Sequence, residues 1–166
     1  MIVCNNLYLL EGSQNCFKCG KKTRVIGFGL EDFYDLRDCD FDEGLAVETE
    51  YQSGVIRIAG PIDPIPESIL TYLQKNYNYK MRYSKTTEES HMNNCCDNCD
   101  VLQGDFYLFH EVDSPFWIDS KEKAKDLKIY RIPLKRDLVI NANWGYSNTD
   151  EWLKTYGNIK LLDVDR

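Results

Sequence analysis

Two Cys-x-x-Cys pairs, Cys16/Cys19 and Cys96/Cys99, constrain this chain more than any other feature. Each pair can close a tight turn that aims two thiolates at one point, and two such turns supply the four sulfurs of a tetrahedral Zn²⁺ site. The pairs are far apart in sequence, so a shared metal ties the start of the chain to its middle. The flanking residues suit this role. Gly20 follows the second thiol, where the chain must turn sharply and glycine accepts a positive φ. Asp100 stands at the equivalent place after Cys99, and Asp tolerates the left-handed region better than most residues. Lys18, Lys21 and Lys22 put positive charge beside the first pair, which favours thiolates. A redox dithiol would open a helix after a strand, whereas both pairs here lie between strand-like runs.

Three cysteines remain: Cys4, Cys39 and Cys95. Cys95 adjoins Cys96, and His91 and His110 flank the second pair, so each is an alternative ligand. Cys4 in its apolar setting and Cys39 among acids are expected to lie outside the site. The opening residues, Met1 to Asn6, lack the basic start and apolar stretch of a signal peptide. A cytoplasmic location with reduced thiols is the expectation. No segment is apolar and long enough to span a membrane.

The 166 residues, 43% hydrophobic and 13% aromatic, are enough for one compact domain, 1–166. Strand-like runs are Asn6 to Leu10, Thr23 to Leu30, Gly54 to Ala59, Tyr79 to Ser84 and Phe106 to Glu111, followed by Lys128 to Pro133, Leu138 to Asn143 and Ile159 to Leu162. Helices are expected from Pro66 to Asn76, with Ile69, Leu70 and Leu73 on one face, from Ser120 to Leu127, and from Thr149 to Tyr156. The expected fold class is α+β with a mostly antiparallel sheet. In it, a zinc-ribbon-like pair of knuckled hairpins (5–30 and 79–111) is separated by an insertion (31–78) and followed by a small C-terminal extension (112–166).

The order Cys16-x-x-Cys19-Gly-Lys-Lys-Thr-Arg-Val, then Ser84-Lys85-Thr86, then Asn94-x-Cys96-x-x-Cys99, then Leu102-Gln103-Gly104-Asp105-Phe106 resembles a group of small, uncharacterised bacterial proteins of zinc-ribbon-like type. The likeness covers most of residues 5–111. The chain departs from that pattern at Asp100, where such proteins carry Gly, and at Cys95, just before the third ligand. The resemblance implies a metal at the cysteines and supplies no activity.

Charge is unevenly spread over a chain of net charge −7. Residues 31–51 carry nine acids against the single base Arg37, and residues 121–136 carry seven bases against two acids. Aromatic residues are interleaved with the acids. Phe33, Tyr34, Asp35, Asp38, Asp40, Phe41, Asp42 and Glu43 together make a candidate face for a basic protein partner. Such a face repels nucleic acid. No phosphate-binding glycine loop, Gly-x-Ser-x-Gly or His-Glu-x-x-His occurs, and Gly27-Phe28-Gly29 is too short for a dinucleotide fingerprint. A metal held by four cysteines leaves no position for a reactive water. The chain is therefore expected not to be an enzyme and to have no small-molecule substrate. The expected function is that of a zinc-stabilised protein-binding protein. By analogy with small acidic bacterial inhibitors, it would act as an immunity protein that neutralises a basic toxin in a toxin–antitoxin pairing. The alternative is a zinc-ribbon protein that is nucleic-acid-associated or regulatory, favoured locally by Lys18, Lys21, Lys22 and Arg24.

Overall fold

The computed structural model describes residues 1–36, 49–84 and 88–164. Asp38, Cys39, Asp40, Phe41, Asp42 and Glu43 lie outside them. The chain folds as an α+β protein built on one large, mainly antiparallel sheet. Strands β1 (Ile2–Asn15), β2 (Lys22–Leu30), β3 (Phe33–Asp35), β4 (Glu50–Gln52), β5 (Arg57–Asp63), β8 (Lys128–Trp144) and β9 (Asn158–Leu161) line up in the order β4-β3-β1-β2-β5-β8-β9. Strand β8 also pairs with β1, from Ile2 opposite Ile140 to Glu11 opposite Lys128. The pairings β1–β2, β2–β5, β5–β8 and β8–β1 thus close into a ring. Only β8 with β9 runs parallel among the described pairings. A separate two-stranded hairpin, β6 (Tyr79–Ser84) with β7 (Glu89–Asn94), carries the chain to the second cysteine pair.

The core follows from β1. Period-two alternation sends Leu7 and Leu9 to one face and Tyr8 and Leu10 to the other, and all four are buried. A strand buried on both faces needs cover on both. Ile69 and Leu73 of helix α1 (Glu67–Asn76) cover the first, beside Phe28, Phe33 and Trp144. Leu108, Phe116, Ala124 of α2 (Lys121–Asp126) and Leu153 of α3 (Trp152–Tyr156) cover the second. Ser120 caps α2 by accepting the Lys123 N–H through its side chain, as its position before the helix predicts.

Three sequence expectations change. The run at Phe106 is no strand: Phe106–His110 forms a π-helical turn whose Leu108 is buried while Phe106 and Tyr107 face outward. The second cysteine loop is therefore closed on its far side by an isolated bridge, Cys95 to Leu102, and only the first forms the hairpin that a ribbon requires. The C-terminal segment is no appendage, because β8 is the long neighbour of β1. Its two expected strands are one of 17 residues, with Pro133 next to the irregularity in the β1 register between Cys4 and Asn6. In the segment read as an insertion, β3, β4 and β5 join the same sheet. Gly27 and Gly29 also find their reason here. A side chain at Gly27 would strike the Phe109 ring at 2.9 Å, and one at Gly29 would strike Ile56 at 2.8 Å.

Candidate metal centre

The two cysteine loops are copies of one backbone design. In the first, the Gly20 N–H donates to Cys16 C=O at 2.8 Å and the Cys16 N–H to Lys21 C=O at 2.9 Å. In the second, the Asp100 N–H donates to Cys96 C=O at 3.0 Å and the Cys96 N–H to Val101 C=O at 2.9 Å. Both loops exit through a left-handed residue, Gly20 at φ +70° and Asp100 at φ +61°. Asp100 bears this conformation while its carboxylate accepts from Asn78 Nδ2 at 2.9 Å and pairs with Lys80 and Arg82 of β6.

The loops face each other across a seam of side chains. Thr23 Oγ1 accepts the Asp97 N–H at 2.9 Å, Asp97 accepts from the Arg24 side chain at 3.1 Å, and Asn98 Nδ2 donates to Lys22 C=O at 3.1 Å. Asn94, almost fully buried, grips the free edge of β2. Its Oδ1 accepts the Ile26 N–H at 2.7 Å and its Nδ2 donates to Ile26 C=O at 2.9 Å. Gln103 receives Gln14 Nε2 at 2.9 Å and turns its own Nε2 toward Cys16 Sγ at 3.5 Å. Residues that flank the cysteines in the resemblance motif, Thr23, Arg24, Asn94 and Gln103, are the ones that build this seam. Their neighbourhood in the motif was the only sequence signal for them.

This seam brings Cys16, Cys19, Cys96 and Cys99 together, with all four sulfurs within 4.8 Å of one another. Cys16 Sγ is 3.6 Å from Cys99 Sγ, and Cys19 Sγ is 3.7 Å from Cys96 Sγ. Metal–sulfur bonds of about 2.3 Å in a tetrahedron set sulfurs about 3.8 Å apart, close to these two separations, so the four residues suit one shared metal ion. Cys16 and Cys96 are buried and Cys19 and Cys99 partly so. Cys95, His91 and His110 are not members of the cluster. Cys95 is buried in its bridge, and burial pushes its thiol up. Cys4 is buried in the core, where burial raises its thiol to about 11.

The shifts of Cys16, Cys96 and Cys99 indicate what a cation would do. Burial opposes ionisation of Cys96, yet the N–H groups of Asn98 and Cys99 and the thiols of Cys16 and Cys99 bring it down to about 6. Cys16 is lowered in the same way, against burial, by the N–H groups of Cys19 and Lys18. Cys99 goes the other way, to about 12. The Val101 N–H favours its thiolate, but burial and the three neighbouring sulfurs outweigh it. Without a cation the cluster shares its protons, because four adjacent thiolates repel one another; a divalent ion removes that repulsion and displaces the protons.

The candidate partner face is less uniform than its sequence. Phe33 is fully buried and packs edge-on against Trp144, at 5.2 Å between ring centres. Asp35 is buried as well and accepts the Trp144 Nε1–H at 2.8 Å. Both belong to the core, which corrects the expectation that they face a partner: the three-residue strand β3 turns every second side chain inward. Tyr34 points outward and meets Tyr51 of β4 across the strands, with ring centres 4.8 Å apart and about half of each side chain exposed. No helix among the described residues is long and apolar enough to cross a membrane. Comparisons with known protein families, curated proteins and solved structures found no match.

Proposed function

We propose that this chain is a zinc-stabilised, non-catalytic binding protein in which Zn²⁺ staples the β1–β2 hairpin to the loop after β7. The observation that carries the reading is the set of four sulfurs within 4.8 Å, from two loops 77 or more residues apart. An all-thiolate tetrahedron suits Zn²⁺ or iron, and the paired Cys-x-x-Cys spacing is that of structural Zn²⁺ sites. Four protein ligands fill the coordination shell, which fits a structural metal. Elemental analysis of the purified protein tests this: about one zinc per chain is expected, reduced by Cys16→Ser or Cys99→Ser.

The binding role is assigned to the acidic edge of the sheet. Strand β4 ends the sheet order, so its outer edge lacks a strand partner among the described residues. It presents the Tyr34–Tyr51 pair beside Glu50. Exposed tyrosines beside an acid suit a basic protein, and the immunity-type role against a basic toxin, with the acids of residues 38–43 as its further determinants, is the form of that reading carried from the sequence. Charge reversal by Asp40→Lys with Asp42→Lys should slow association with such a partner and flatten its salt dependence, with zinc content unchanged. Tight, salt-sensitive binding to DNA or RNA instead would replace this reading with the nucleic-acid one.

A further inference from the structure

A cavity of about 790 Å³ lies on the opposite side of the sheet from α1, away from the cysteines. It opens between β5, the end of β8, the π-helical turn and α3, and its volume falls in the range of small-molecule sites. All three tryptophans of the chain line it, Trp117, Trp144 and Trp152, with Phe109 and Tyr146. Aromatic rings at this density are usually spent on a closed core. Here Trp117 and Tyr146 stay exposed to the extent of 42% and 64%.

Carboxylates dominate the charge that lines the cavity, with His110 as the basic side chain among the described lining residues. Three carboxylates border it, Asp105, Asp119 and Asp150, and no Lys or Arg does among the described residues. Asp150 is satisfied by Arg57 and by the Ser147 N–H at 2.8 Å. Asp119 takes Lys123 Nζ at 3.0 Å. Asp105, which opens the π-helical turn, makes no side-chain cap to that turn. Burial pushes its carboxyl up, offset in part by His91 and by His110, which also lines the cavity. The wall's affinity for positive charge is already visible behind it. The Arg57 guanidinium sits 4.7 Å from the Tyr146 ring centre and 5.9 Å from that of Trp144. The Trp117 ring has no such partner among the described residues.

We infer that this cavity is a binding site for a small organic cation with an apolar body, such as an amine or quaternary ammonium compound, its charge set against Asp105 and the open face of Trp117. An anion would meet three carboxylates. A neutral aromatic would fill the space and leave Asp105 with only His91 and His110 near it. This site lies apart from the metal and touches the acidic edge only through Tyr146, whose hydroxyl donates to Glu50 at 2.7 Å, and the sequence, which lacks any ligand motif, did not suggest it.

The test titrates benzyltrimethylammonium chloride into the full chain as purified, following tryptophan emission, because every indole of the protein borders the cavity. A saturable change is expected, at least about tenfold tighter than that given by benzyl alcohol, its uncharged counterpart, with no saturation by benzoate. Asp105→Asn should weaken the cation about tenfold and leave benzyl alcohol where it was. Should that variant fail to fold, Trp117→Leu at its half-exposed position serves instead. It keeps an apolar wall without the π face, so the cation should lose severalfold more than the alcohol, read from the two remaining indoles. Equal binding of cation and alcohol, no saturable response to the cation, or undiminished cation binding in a folded variant would overturn the inference.

Discussion

Asn94→Ala is the sharpest probe of how the second cysteine loop is held. Asn94 is 5% exposed, and its amide completes the β2 edge by bonding both backbone groups of Ile26, itself 1% exposed. It behaves as one residue of a missing strand. Truncation leaves a buried N–H and a buried C=O without partners, each costing about 1–3 kcal/mol, less the side-chain desolvation that Ala no longer requires. A net loss of about 2–4 kcal/mol is expected, which moves a urea midpoint down by about 1–2 M for a protein of this size. The measurement is equilibrium urea unfolding at saturating zinc, with zinc content determined in parallel. The metal should remain at wild-type stoichiometry, because the loop backbone around Cys96 and Cys99 keeps its own hydrogen bonds. A midpoint indistinguishable from that of the wild type would show that the loop is docked by the metal alone, and the seam account would fail.

Other perturbations separate the parts of the site. Gly20→Ala puts a side chain into open space but at φ +70°, so it should cost about 1 kcal/mol in thermal or urea unfolding. Gly20→Asp, which copies the other loop, should cost less. Asp100 is held at about 2, chiefly by Lys80 and then by Asn78 and Arg82, below its unfolded value of about 3.9. Its contribution to stability is therefore complete above about pH 4 and lost as pH falls toward 2, and Asp100→Asn should flatten that acid limb in a pH series of melting temperatures. Cys4→Ser should leave zinc content intact yet lower stability by about 1–3 kcal/mol, since a hydroxyl replaces a thiol in the core. Zinc loss in that variant would contradict the ligand assignment.

The metal ligands were legible because their information is local. A Cys-x-x-Cys followed by a residue that tolerates positive φ specifies its own turn, and Gly20 and Asp100 both adopt it. Helix α1 was legible for the same reason, through Ile69 and Leu73 at helical spacing. What escaped was set by distant partners. Phe106–His110 has strand-like composition, but no strand among the described residues pairs with it, and the Phe116 N–H donates to Leu108 C=O to hold a π-helical turn instead. Strand β8 reads as two pieces, because Lys135, Arg136 and Asp137 look like a loop, until its pairing with β1 is known. Phe33 and Asp35 read as surface residues because their neighbours are acidic. Only the packing of Trp144, more than 100 residues away in sequence, shows that they are core.

The central claim is one Zn²⁺ held by four particular thiolates that join the two ends of the seam. Native mass spectrometry of the purified chain, before and after titration with a mercurial thiol reagent while released zinc is followed with a chromogenic chelator, tests it most directly. The account predicts one zinc per chain, released in step with modification of the cluster thiols, and a chain that unfolds at lower urea once the metal has gone. A folded, metal-free chain of unchanged urea midpoint, or zinc retained in full by a Cys16→Ser, Cys99→Ser double variant, would contradict it.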